Sequence, residues 1–173
     1  MASFVVHGRS GQAGKASGEG PVDTSTTMKI QALGHVVLRV TDRERAERFY
    51  GGVLGLPLCA RLDEGGLKMT FFTLGNHHDF AVMEVTGDAS SRSESAAGLH
   101  HVAFKVGSTI DELRAAKANL DAAGIATTPV DHDVTKSLYF ADPDGNGVEV
   151  YIDASDAWQR EPQRVAQAKP LEI

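Results

Sequence analysis

The chain has 173 residues, of which 42% are hydrophobic and 23% charged, a composition typical of one globular domain with a sizeable core. The formal net charge of −6 argues against nucleic acid as the main partner, because phosphate binding needs a basic face. No apolar run approaches the roughly 18 residues of a membrane span, and a lone cysteine, Cys59, cannot form an internal disulfide. These features predict a cytoplasmic protein with neither a membrane nor a nucleic acid as partner.

Composition divides the chain into three parts. Residues 1–28 are rich in Gly, Ser and Thr and lack a lasting apolar period, which predicts a flexible N-terminal arm. Residues 29–154 carry the periodic segments of a folded domain. Residues 155–173 form a C-terminal tail, in which we predict a short helix near Trp158 and no regular pattern after it.

The first half of the domain predicts one strand, one helix and then three extended segments. Apolar residues within the helix recur at helical spacing, and Thr41 or Asp42 can cap its start. Gly55 follows the last periodic residue and ends the helix. The predicted segments are a strand over 30–40, the helix from 43 to 54, an extended segment from 56, and strands over 67–74 and 79–85.

The second half repeats this order after a small, polar linker over 86–97. Ser108 or Thr109 caps the helix and Gly124 ends it. Dense turn chemistry over 142–147 precedes the last strand. The predicted segments are a strand over 99–106, the helix from 110 to 123, an extended segment over 125–130, and strands over 137–141 and 148–152.

Both halves open on a strand that begins with a histidine, followed by apolar residues, one basic residue and valine. These histidines are His35 and His101. The repetition predicts an α+β fold of two paired βαβββ modules, over 29–86 and 98–153. Two such curved sheets can close around a cup, with the helices outside.

The segment from Lys29 to Asp153 resembles the vicinal oxygen chelate superfamily, which includes glyoxalase I, bleomycin-resistance proteins and type I extradiol dioxygenases. The run from Asp142 to Tyr151 matches the closing turn and strand of that family. The resemblance implies that His35, His101 and Glu149 are metal ligands. Two imidazoles and one carboxylate suit non-haem Fe(II). Adjacent strand residues face opposite sides, so we expect His100 to lie outside the ligand set.

Two further segments resemble those of the extradiol branch. The run 76–82 contains His78, which the resemblance implies is an acid–base residue. The run 131–139 contains His132 and Tyr139, which it implies contact the substrate. The implied activity is cleavage of a catechol-type aromatic diol with O2 by a homodimeric Fe(II) enzyme, with Mn²⁺, Zn²⁺ and Ni²⁺ as alternative metals.

Glu84 leaves other functions open, since it resembles a fourth ligand of glyoxalase I. A bulge would be needed to turn Glu84 toward the site; without one, Met83 is the expected equivalent of Glu149. A site with Glu84 would suit Zn²⁺ or Ni²⁺ and an isomerase or lyase. A third possibility is a binding or resistance protein without turnover. In each case the expected cup walls include four phenylalanines: Phe72, Phe80, Phe104 and Phe140.

Overall fold

The computed structural model describes residues 29–87 and 97–173. The predicted arm over 1–28 and most of the predicted linker lie outside these ranges. Residues from Gly34 to Ile173 form one compact unit. No helix in the described ranges is long and apolar enough to cross a membrane.

The first module consists of four strands and a short helical segment. Asp42 caps the helix by accepting a hydrogen bond from the backbone of Arg45, and Gly55 leaves the helical region with φ +74°, which suits glycine. The sheet order is β1-β4-β3-β2, with β1 and β4 parallel and the other pairs antiparallel. The elements are β1 Val36–Val40, α1 Arg43–Glu47, a π-helix Arg48–Val53, β2 Leu58–Glu64, β3 Leu67–Phe72 and β4 Phe80–Glu84.

The second module repeats this arrangement with a longer helix. Thr109 and Glu112 form a reciprocal capping box at the start of the helix, and Gly124 follows its end with φ +74°. The sheet order is β5-β8-β7-β6-β9, and β5 and β8 are parallel. The elements are β5 His101–Gly107, α2 Ile110–Ala122, β6 Thr128–Asp131, β7 Thr135–Ala141, β8 Gly147–Asp153, 3-10 turns Ala157–Gln159 and Pro162–Ala166, and β9 Lys169–Pro170.

The α+β fold of two βαβββ modules is therefore confirmed. The tail adds a feature that the sequence pattern did not indicate. A short helix near Trp158 was predicted, and the 3-10 helix Ala157–Gln159 lies there. After it, the chain returns to the second sheet and pairs β9 with β6. Leu171 and Ile173 then pack against the hydrophobic core.

Both modules contribute to a shared hydrophobic core. Phe80 of β4 and Phe104 of β5 have ring centroids 5.4 Å apart, and the core also contains Phe72 and Phe140. The expectation that these four phenylalanines line a cup is wrong. Side chains alternate along a strand, and these four lie on the core side of their sheets.

The same alternation of side chains places the candidate ligands on the faces of the two sheets that point away from the shared core. Leu38 and Val40 enter the core, whereas Val37 and Arg39 are exposed, and His35 continues the exposed series. In β8, Val148 and Val150 enter the core, so Glu149 belongs to the other face. Each sheet thus has one face in the shared core and one face with candidate ligands.

Candidate metal centre

An N-terminal cluster brings His35, His77 and His78 together at one end of the first sheet. The loop between β3 and β4 carries His77 and His78, and its turn is stabilised by Asp79, whose carboxylate accepts from the backbone of Leu74 at 2.6 Å. The rings of His35 and His78 have centroids 4.3 Å apart. Nδ1 of His77 lies 2.8 Å from Nδ1 of His78.

His78 is the member of this cluster with a perturbed acidity. Its partial desolvation lowers the pKa of the imidazole, and the nearby rings of His35 and His77 lower it further when they are charged. Phe71 packs edge-on against the imidazole of His78, with the two ring centroids 5.3 Å apart. A neutral imidazole with an apolar neighbour can accept a proton near neutral pH.

A C-terminal cluster surrounds Glu149 in the second sheet. Nε2 of His101 lies 3.0 Å from Oε2 of Glu149, and the hydroxyl of Ser137 donates to Oε1 at 2.5 Å. Ser137 is fully buried and Glu149 is 7% exposed. The carboxylate is therefore oriented by one neighbour on each oxygen.

Gly147 allows the close approach of β5 and β8 beside His101. The two residues are register partners in the parallel pair. A Cβ at position 147 would lie 2.3 Å from the carbonyl oxygen of His100 and 3.1 Å from Cβ of His101. Any side chain there would push the start of β5, and with it His101, away from Glu149.

His100 lies next to the candidate ligand His101. Nδ1 of His100 is 2.7 Å from Nδ1 of His101, so the two rings interact directly. That His100 lies outside the ligand set stays a prediction.

Tyr139 connects His101 and Glu149 to His132. The hydroxyl of Tyr139 lies 2.9 Å from Nε2 of His132. The ring centroids of Tyr139 and His101 are 5.3 Å apart, and the two rings meet edge to face. Burial raises the pKa of the Tyr139 hydroxyl, and the negative charge of Glu149 raises it further. Tyr139 is therefore a protonated phenol at neutral pH, able to donate a hydrogen bond.

The geometry of His101 and Glu149 fits two ligands of one metal ion. Two neighbouring donors at right angles, each about 2.1 Å from a metal, lie about 3.0 Å apart. This is the separation observed between Nε2 and Oε2. A carboxylate that binds a metal is normally held in place by a hydrogen bond from a neighbouring group, and Ser137 provides such a bond to Glu149. The donor chemistry and the spacing both fit.

Among the described residues of one chain, no third ligand reaches His101 and Glu149. In the described ranges, no group of three or more His, Cys, Asp or Glu side chains is placed to hold a metal ion. His35 instead contacts His77 and His78. The predicted ligands are thus divided, with His35 directly before β1 of the first sheet and His101 and Glu149 in strands of the second.

Glu84 is not oriented toward either cluster. Its carboxylate accepts from the backbone of Arg43 at 3.0 Å and pairs with Lys68 at 2.9 Å. Together these bonds lower the pKa of Glu84. The pairing of β4 with β1 and β3 is continuous, so the bulge that a ligand role requires is not formed.

The sheet registers also correct the expected equivalent of Glu149. Glu149 lies opposite Tyr139 and beside Ala103, two residues after His101. In the first module the residue opposite Phe71 and beside Val37, two residues after His35, is Ala81. The expectation that Met83 is the equivalent of Glu149 is therefore wrong. The connection between the last two strands has the same length in both modules, but the first module is shorter between its opening histidine and its third strand. The side chain of alanine has no atom that can bind a metal, so Ala81 is not a ligand.

Sequence reasoning missed Ser137 and the contact of His132 with the tail. Ser137 could have been found, because it lies two residues before Tyr139 on a strand and so shares its face. Nδ1 of His132 lies 2.7 Å from the backbone oxygen of Gln167. No local pattern signals that contact, since it joins residues distant in sequence.

Comparison with known proteins gives relatives of two activities. The chain is 33% identical over 131 residues to a catechol-2,3-dioxygenase of Bacillus subtilis, covering 75% of this chain and 44% of the relative. It thus spans less than half the length of that protein. It is 29% identical over 120 residues to a lactoylglutathione lyase of Neisseria meningitidis, covering 68% of this chain and 87% of the relative.

A solved structure shares the fold. The glyoxylase/bleomycin resistance protein/dioxygenase domain from Frankia sp. EAN1pec matches 73% of this chain and 100% of its own length, with a TM-score of 0.63 and 23% identity. The family model that describes the glyoxalase/bleomycin resistance protein/dioxygenase superfamily matches residues 32–150. With the repeated modules and this match over most of its length, the chain belongs to the glyoxalase/bleomycin resistance protein/dioxygenase superfamily.

Proposed function

We propose that the protein is an extradiol ring-cleavage dioxygenase that acts on a catechol-type aromatic diol with O2, and that Fe(II) is its metal. The observation that carries this proposal is the donor set. Two histidines, His35 and His101, come with a single carboxylate, Glu149, because Ala81 replaces a second one and Glu84 is held elsewhere. This is the set preferred by non-haem Fe(II) oxygenases. The relative with catechol-2,3-dioxygenase activity supports the same choice.

We further propose that the active form is a homodimer in which each metal site uses both copies. The two clusters lie on the sheet faces opposite the shared core, and within one chain they do not form a three-ligand group in the described ranges. A two-fold dimer would set His35 of one copy against His101 and Glu149 of the other, and would form two equal sites. The exposed His35 and Val37 would then be covered.

The bound metal would supply adjacent open positions where a diol and O2 meet. Around them the chain would orient the substrate and move protons. Tyr139, a protonated phenol beside Glu149, would form a hydrogen bond with a diol oxygen and relay a proton between that oxygen and His132. His132, at hydrogen-bond distance from Tyr139, would exchange the proton with it. These roles need only short transfers between groups already in contact.

His78 would act from the other side of the site as the acid–base residue. Its lowered pKa keeps the imidazole neutral and able to accept the proton of a diol hydroxyl. His35 lies against it, so binding of His35 to the metal would fix His78 beside the reacting groups. Phe71, in contact with His78, would form an apolar wall.

The test is anaerobic reconstitution with Fe(II), metal analysis, and then catechol with O2. We expect one Fe per chain and the yellow absorbance of a ring-cleavage product. Glu149→Gln should lose both iron and turnover. Glu84→Gln is the matched control, because it neutralises a carboxylate of the same type outside the proposed site, and it should keep both. Iron bound without product or O2 uptake would contradict the proposal.

A glyoxalase-like lyase is the second candidate, favoured by one specific observation. The chain matches 87% of the length of a lactoylglutathione lyase but only 44% of the dioxygenase. For this function, Zn²⁺ or Ni²⁺ should bind in preference to iron, and no O2 should be consumed. Turnover of the hemithioacetal of methylglyoxal and glutathione by the Ni²⁺-loaded protein would establish it. A protein that binds ligands without either turnover would be a resistance or binding protein.

A further inference from the structure

We infer that the C-terminal segment 167–173 is part of the candidate active site, where the backbone carbonyl of Gln167 fixes the tautomer of His132. In this arrangement the proton of the neutral ring lies on Nδ1, and Nε2 is free to accept from Tyr139. Its catalytic meaning rests on the proposed function, but the arrangement itself is a property of the chain.

The two nitrogens of His132 have partners of different character. Nδ1 lies 2.7 Å from the carbonyl oxygen of Gln167, and a carbonyl oxygen can only accept. Nδ1 must therefore carry a proton. In the neutral ring this leaves Nε2 without one, and Nε2 lies 2.9 Å from the hydroxyl of Tyr139. Tyr139 is then the donor in that bond.

The carbonyl is held in place by contacts on the C-terminal side of Gln167. β9 follows directly and pairs Lys169 with Asp131 and Pro170 with Val130 of β6. The backbone of Leu171 donates to the carbonyl of Pro129 at 3.3 Å. Leu171 and Ile173 pack against the core. The tail is thus attached to the strand that leads directly into His132.

The turn that carries His132 is fixed just as closely. The backbone of His132 donates to the carbonyl of Thr135 at 2.9 Å. Asp133 has φ +68°, and its backbone donates to the side chain of Asp131 at 2.8 Å. The carboxylate of Asp133 pairs with Arg164 of the tail at 2.7 Å. Turn and tail therefore hold each other at two points, the second being the bond from His132 to Gln167.

This contact decides what His132 can do for Tyr139. With the proton on Nδ1, the ring can take the proton of the phenol. With the proton on Nε2, the ring would donate to the phenol oxygen, and Tyr139 would have to donate to another acceptor such as Glu149. The Gln167 carbonyl therefore makes His132 a proton acceptor toward Tyr139, and Gln167 is a positioning residue.

The test is ¹⁵N NMR of the histidine side chains in the metal-free full chain, with the His132 signals identified by their loss in His132→Gln. We expect Nδ1 in the protonated range and Nε2 in the unprotonated range at a pH where the ring is neutral. Leu171→Asp should release the tail and move both signals toward the average of the two tautomers. Val165→Asp is the matched control, since it places the same charge on an exposed tail residue, and it should keep the wild-type pattern.

Leu171→Ala gives a milder release if Leu171→Asp does not fold. A wild-type His132 with its proton on Nε2 would overturn the inference. So would an unchanged pattern in a Leu171 variant whose tail has become sensitive to protease. Because these readouts need neither metal nor turnover, they can succeed when catechol cleavage fails. Given cleavage, Leu171→Asp should lower kcat while Fe content stays unchanged, and Val165→Asp should alter neither.

Discussion

The hydroxyl of Tyr50 donates to Oδ2 of Asp142 at 2.9 Å, and this buried bond joins the helical segment of the first module to the turn before β8 in the second. Tyr50 is fully buried, and the pKa of its hydroxyl is raised by burial first and by the charge of Asp142 second. Asn146 also donates to Oδ2 at 2.7 Å. The same turn that orders β8, and so Glu149, is thereby fixed to the other module.

Tyr50→Phe should destabilise the whole unit. It removes one donor to a buried carboxylate, and a hydrogen bond to a charged group contributes about 1.5–3 kcal/mol. Urea unfolding should show that loss, with an unchanged m-value if both states stay equally compact. Tyr151→Phe, which removes the hydroxyl of a half-buried tyrosine in β8, is the control. Equal stability of Tyr50→Phe and wild type would show that the bond does not tie the modules together.

Ser137→Ala should weaken metal binding without unfolding the protein. Its hydroxyl orients Oε1 of Glu149, and loss of a group that orients a ligand typically costs 10- to 100-fold, or about 1.4–2.7 kcal/mol, in metal affinity. Competition with a chelator, followed by metal analysis, measures the change. Thr70→Val is a matched control, because the Thr70 hydroxyl donates to the carboxylate of Glu47 in the first module. Wild-type affinity in Ser137→Ala would argue against Glu149 as a ligand.

Mixing two inactive variants should restore activity if the site uses two copies. His35→Ala and Glu149→Ala each damage both sites of their own dimer. A mixed dimer contains one intact site and one doubly damaged site, so random exchange should recover about a quarter of wild-type sites. The measurement is turnover and metal content after co-refolding. No recovery, despite exchange shown by mass spectrometry, would place all ligands in one chain.

Acid should reduce stability partly through Asp131. The bond from Lys136 lowers the pKa of this buried carboxyl, with further help from the backbone of Asp133. Since the folded pKa lies below the unfolded one, the contribution is present above about pH 4 and is lost as the pH falls through the lowered value. Asp131→Asn should cost about 1–3 kcal/mol at pH 7, a difference that shrinks toward pH 2.

Unfolding in urea over that pH range measures the effect, with Asp121→Asn as control. Asp121 forms an exposed i,i+4 pair with Lys117, and such pairs contribute at most about 1 kcal/mol. If the Asp131→Asn difference stayed constant down to pH 2, the lowered pKa would not contribute to stability.

Much of the fold could be predicted because local chemistry specifies it. Asp42 and Thr109 cap helices, and Gly55 and Gly124 end them with positive φ. The repeated strand after His35 and His101 identified the modules. The short strand β9 was not predicted, because it depends on pairing with β6 rather than on a local pattern.

The sequence indicated which residues are candidates for the site but not how they are arranged. Glu149 and His101 lie together as expected, since they belong to neighbouring parallel strands. The separation of His35 follows from how two modules pack around a core, which depends on contacts distant in sequence. Whether Glu84 could reach the site depended on the register of β4, because a shift of one residue along a strand turns its side chain to the other face.

Ala81 lowers the negative charge available around the proposed metal. Where the second module offers the anionic Glu149, the first offers a methyl group at the equivalent register position. The proposed ligands therefore carry one negative charge against the two positive charges of a divalent ion. The uncompensated positive charge would favour a singly deprotonated diol over a neutral one. A second carboxylate at position 81 would cancel that preference, so a single alanine would bias the site toward anionic ligands.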